Sequence, residues 1–153
     1  MVVNGGSDIS TNAHSRTLDP GALRYRDWRG QSYGVDIVQL DRLGLRASGV
    51  QPADPGAYRT YGARLLAPRA GEVVIAVDGL PDMQIPAGDR EHLAGNHVML
   101  LCAQPDVKAD VLLGHLRPGS VRVAAGAIVD VGAWIGSVGN INERALYGEP
   151  ALA

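Results

Sequence analysis

The sequence predicts an all-β domain, a twisted antiparallel sheet with a small second β layer and helix confined to a turn or two. Three observations carry this. Twenty glycines and nine prolines with no phenylalanine favour short strands and tight turns over a helical bundle. Between Ala124 and Asn140 a glycine recurs every three to six residues, as in a meander whose turns need positive φ. From Tyr61 to Val138 the glycine-punctuated pattern carries β-branched residues throughout, the residue type that fills a pleated surface.

At 153 residues the chain is one domain with room for its own core, and 46% hydrophobic against 20% charged residues argues against a disordered chain. Residues 1–31 read as a loop segment packed on the domain, and residues 32–153 as the β domain itself. The net charge of −2 and the absence of any Lys/Arg run set nucleic acid aside as a partner. No apolar stretch reaches membrane-spanning length. A single cysteine, Cys102, excludes an internal disulfide and a thiolate metal cluster; in VMLLCA it reads as a small buried hydrophobe. Nothing before VVNGGSDIS resembles a signal peptide.

In the first segment turn formers crowd NGGSD, STNAH and TLDPGALRYRDWRG without any period, and Tyr25 and Trp28 read as packing posts. SYGVDIVQL, Ser32 to Leu40, is predicted as a strand. Alternation puts Tyr33, Val35 and Ile37 on one face and Gly34, Asp36 and Val38 on the other. A carboxylate inside a strand either faces solvent or is paired or metal-bound, since burying it alone is costly. Leu43 to Tyr61, with its QPADPG turn cluster, reads as an insertion able to wall a groove. YGARLLAPRAGEVVIAVDGLPD predicts two paired strands around Arg69-Ala70-Gly71. Asp82 to Gly95 is a polar loop without assigned chemistry. GNHVMLLC and Val107 to Leu113 form the next two strands, with His97 as a packing residue. The second of them delivers His115 where the strand opens into a Pro-Gly turn, near enough to the surface to do chemistry. SVRV, then AAGAIVDVGAWIGSVGN, complete the sheet.

His115-Leu116, followed by a short strand and G-x-x-V-x-x-G-x-x-IG-x-VGN, resembles the closing half of the M23 (lysostaphin or LytM-like) zinc metallopeptidase domain. The strand pair around Gly62, Leu65, Ala67, Gly71, Val73 and Val74 and the Gly95-Asn96-x-Val98 strand are similar to that family too. The resemblance runs from about Gln31 onward and implies the family's duplicated, hybrid-type β architecture. It also implies a zinc site, a peptide or peptidoglycan substrate, and work outside the cytoplasm. In the family His-x-Gly-x-Asp supplies two zinc ligands; here it reads Ser32-Tyr33-Gly34-Val35-Asp36, so the aspartate matches and the histidine does not. Some M23-like sequences take that histidine from an upstream loop and follow it with Gln-x-Tyr-(Ala/Gly)-x-Asp, which Gln31, Tyr33, Gly34 and Asp36 fit. His14 is then either the upstream ligand or an ordinary loop histidine.

The resemblance thus makes Asp36 and His14 metal ligands and His115, of the His-Leu motif, catalytic. It breaks at the C-terminus. Related sequences read Glu-Pro-His-Leu-His, whereas this chain reads GEPALA, with Ala151 and Ala153 where one histidine works on the reaction and the other binds zinc. Alanine does neither, so zinc is expected to bind weakly or not at all. Two functions from different classes follow: a metallopeptidase domain crippled in this chain, or a non-catalytic binding or regulatory module that keeps the cleft.

Overall fold

Strand Asn96–Gln104 is the spine of the molecule, and its alternation shows why. Asn96, Val98, Leu100 and Cys102 are buried, while His97, Met99 and Leu101 between them are more open. The even positions turn into the core and the odd ones onto an outer face. In this computed structural model residues 1–6, 8, 10–12, 14–15, 33–83, 85, 91–104 and 107–140 are described. Among them strands run as β1 Val2–Asn4, β2 Asp36–Ile37, β3 Arg64–Leu66, β4 Gly71–Val77, β5 Asn96–Gln104, β6 Val107–Leu116, β7 Ile128–Val129 and β8 Trp134–Ser137. A 3-10 turn, Pro55–Ala57, is capped by Asp54, and His14, Ser15 and Tyr33 also take 3-10 conformation. The chain is all-β, and every strand pairing is antiparallel. No helix of the described residues is long and apolar enough to cross a membrane.

Four strands form the main sheet in the order β6-β5-β4-β7, and β3-β8 and β1-β2 form two-stranded sheets beside it. The core lies between the main sheet and the β3-β8 layer. Val73, Val98, Leu100 and Cys102 come from the first, Ala67 and Ile135 from the second, with Leu116 and Val129 completing the cluster. Removing this apolar surface from water, about 25 cal/mol per Å², is the main force holding the layers together. Cys102 is buried, as its apolar strand implies.

Four local expectations need correction. The first segment is not all loop: Val2–Asn4 is a strand, and it pairs across the expected 31/32 boundary with β2. The strand expected over Ser32–Leu40 contracts to Asp36–Ile37 within the described part, Ser32 lying outside it, because its three-residue partner can satisfy no more. β3 and β4 do not pair with each other across Arg69-Ala70-Gly71; β3 pairs with β8 and β4 with β5 and β7. SVRV is not a strand, although Arg122 N–H still donates to the Ile135 carbonyl at 2.9 Å alongside β8. Tyr25 and Trp28 lie outside the described residues, as do Gln31 and the GEPALA terminus with Ala151 and Ala153.

Candidate functional site

The β6 strand reaches the site through a bulge. Asn96 pairs with Leu116 and Val98 with Leu113, so two residues of β6, Gly114 and His115, stand opposite His97 alone. His115 takes φ +58°, in the left-handed region that a non-glycine residue enters at a cost. Bulges of this kind re-aim a side chain, and strain of this kind persists only where surrounding contacts impose it. Here they do. The His115 amide donates to the Ala94 carbonyl at 2.9 Å, and its carbonyl accepts from Gly139 N–H at 2.7 Å. The ring lies over Gly95, where a Cβ would come within 3.7 Å of Nδ1.

The carboxylate enters from the opposite direction. Tyr33, Val35 and Ile37 are exposed, and the Gly34-Asp36-Val38 face is the one turned inward. This inverts the usual hydrophobic pattern and excludes the solvent-facing alternative for Asp36. One oxygen of Asp36, Oδ2, accepts from Asn4 Nδ2 at 2.9 Å. The other, Oδ1, is 3.3 Å from His14 Nε2. His14 is held in turn by Asn12, whose Oδ1 accepts the His14 amide at 3.0 Å. Asn12 is itself fully buried, and its Nδ2 donates to the Gly6 and Gly34 carbonyls at 3.2 and 3.3 Å. The two asparagines tie the first segment to the lead-in of β2, and so bring a loop histidine to a carboxylate 22 positions away.

Charge couples these groups. Burial raises the Asp36 pKa, but hydrogen bonds from His14 and Asn4 and the charges of His14 and His115 outweigh it, leaving the carboxyl below its ordinary value. Burial lowers the His115 pKa; the Asp36 charge opposes this, while His14 and His97 push the same way. His115 is therefore a neutral imidazole at neutral pH, fit to accept a proton from an adjacent water or hydroxyl. His97, on the same outer face, hydrogen-bonds through Nδ1 to the Gly95 carbonyl at 2.8 Å, which places its proton on Nδ1. The next cross-strand row on that face is Ile75, Met99 and Leu112, of which Ile75 and Leu112 are exposed.

A separation of 3.3 Å suits a hydrogen bond. It also suits two ligands of one zinc ion, since bonds of about 2.0–2.2 Å at a tetrahedral angle set donors about 3.3–3.5 Å apart. The donor types fit, but the donor number does not. A zinc site needs three protein ligands, and no group of three His, Cys, Asp or Glu among the described residues is placed to hold a metal. His14 and Asp36 supply two. His115 belongs to the same electrostatic cluster as this pair.

Sequence reasoning singled out these three residues and not Asn4 and Asn12, whose side chains hold His14 and Asp36. Each stands in a short polar run that reads as a turn, and nothing in such a run marks an asparagine as buried. Compared with known proteins, the chain matches no family model, no curated protein and no solved structure.

Proposed function

We propose that the chain is an M23-like domain of the zinc metallopeptidase kind, directed at peptides or peptidoglycan and catalytically crippled. The observation that carries this reading is the convergence of His14, Asp36 and His115, drawn from three distant parts of the sequence into one coupled group. The resemblance of the His115-Leu116 motif and the Asp36 strand supplies the chemical class. Ala151 and Ala153, in place of the pair of histidines, supply the defect. The chain's own residues then position and polarise: Asp36 and His14 offer a carboxylate and an imidazole to a cation, and His115 offers a base. The apolar Ile75-Met99-Leu112 row suits the aliphatic side chains of a bound peptide.

The test is zinc content after gel filtration together with release of peptide from peptidoglycan. Zinc well below one equivalent and no cleavage are expected. Tightly held equimolar zinc with turnover would overturn the crippled reading.

A second reading, a binding module that has dispensed with metal, is favoured by one observation. Asn4 and His14 already satisfy both oxygens of Asp36. That reading expects peptidoglycan fragments to bind equally well with and without a chelator.

A further inference from the structure

The β3-β8 layer carries a cluster that the candidate site does not use. Trp134 is about one-third exposed on the outer face of β8. Its Nε1 donates to the Gly136 carbonyl at 2.7 Å, which fixes the ring. A bulge sets Ile135 and Gly136 together against Leu65, so Leu66 pairs with Trp134 and Arg64 with Ser137. Arg64 therefore reaches the indole from the β3 flank, its Cζ 4.7 Å from the ring centroid. From the other flank, where Arg122 N–H bonds to the Ile135 carbonyl, the Arg122 Cζ comes to 4.0 Å. Both arginines are exposed, and neither has a carboxylate within ion-pair distance among the described residues.

Two guanidiniums repel each other, and their shared contact with the indole offsets part of that repulsion, each contact being worth about 0.5–1 kcal/mol at an exposed site. Each guanidinium carries five N–H donors, and among the described residues neither side chain donates to a protein acceptor. Sugar stacking is disfavoured here, because the arginines cover the ring. What remains is a pair of donor forks matched to oxyanions, on a chain whose net charge is −2.

We propose that Arg64, Trp134 and Arg122 form an oxyanion-binding clamp, separate from the histidine cluster, for a linear anionic polymer carrying phosphate or carboxylate groups. The two forks allow two successive anionic groups to be held together, which favours a polymer over a single ion.

The probes are sodium polyphosphate and poly-L-glutamate, titrated into the full chain while following indole fluorescence. A Trp28→Phe background makes Trp134 the reporter. Saturable quenching by one of the polymers is expected, and the tighter of the two identifies phosphate or carboxylate as the recognised group. In Arg64→Gln/Arg122→Gln the affinity should fall about tenfold or more, the loss of charge-assisted hydrogen bonds. Arg64→Lys/Arg122→Lys, which keeps the charge and removes the fork, should fall in between and guards against a double Gln variant that fails to fold. No saturable binding by either polymer, or equal affinity in folded Gln and Lys variants, would overturn the proposal. The stack would then only brace β8.

Discussion

At the scale of single residues, His115 is where backbone and chemistry conflict. A left-handed conformation costs a residue with a Cβ roughly 1–2 kcal/mol, and glycine escapes that cost. His115→Gly should therefore be more stable than His115→Ala by about 1 kcal/mol, read from urea unfolding with matched slopes. The reverse order would show that the histidine is not held at positive φ. Asp41 gives a cleaner electrostatic case away from the site. Its Oδ1 accepts from Leu45 and Leu43 N–H, each at 2.9 Å, and Oδ2 from Arg59 at 3.2 Å. The Leu45 amide foremost, with the Leu43 amide and the Arg59 guanidinium, holds its pKa below the ordinary carboxylate value. A depressed carboxylate contributes stability that is complete above its unfolded pKa and is lost as pH falls through the folded value. The Tm of Asp41→Asn should therefore decline less than that of the parent between about pH 5 and about pH 2. Parallel acid limbs would refute this assignment of the Asp41 carboxylate.

At the scale of elements, the β6 bulge depends on how closely the Val138-Gly139 segment approaches it. A Cβ on Gly139 would lie 2.7 Å from the Leu116 carbonyl carbon and oxygen and from the Arg117 nitrogen, all backbone atoms that cannot swing aside. Gly139→Ala should cost about 1–3 kcal/mol by overpacking and loosen the Gly139 N–H bond to the His115 carbonyl. Amide exchange at Gly139 should rise with it; an unchanged exchange rate would show that the segments are less tightly apposed. The strands themselves were legible because alternation in Asn96–Gln104 and glycine spacing after Val111 follow from burial on one face and tight turns on the other. Pairing was less legible. Nothing in Arg64–Leu66 indicates that it bonds to β8 rather than to the adjacent β4, since partner choice is set by the whole layer arrangement. His115 and Asp36 could be singled out because an imidazole at a strand end and a carboxylate among apolar residues are each locally anomalous. The strand Val2–Asn4 carried no such anomaly, because three residues are too few to show a period.

At the scale of the whole molecule, two of the groups that the proposed metal centre calls for already meet, and on that proposal what is missing is chemical identity at two positions. His14 and Asp36 stand at a zinc-compatible separation, held by Asn4 and Asn12. Supplying a third ligand should therefore find a partly organised site rather than have to build one. Ala153→His should raise bound zinc towards one equivalent with little turnover. Adding Ala151→His should then bring peptide cleavage up by about 10²–10⁴ over the single variant, the usual worth of a positioned acid or base. His115→Gln in that double variant should abolish most of the gain while zinc content stays constant, since its assigned role is proton transfer and not ligation. The decisive comparison is zinc content and peptidoglycan-peptide cleavage across the parent, single, double and triple variants. If the double variant holds no more zinc than the parent, the alanines do not occupy ligand positions. The His14–Asp36 pair would then be an ordinary buried hydrogen bond that joins the first segment to β2, and the binding-module reading would gain.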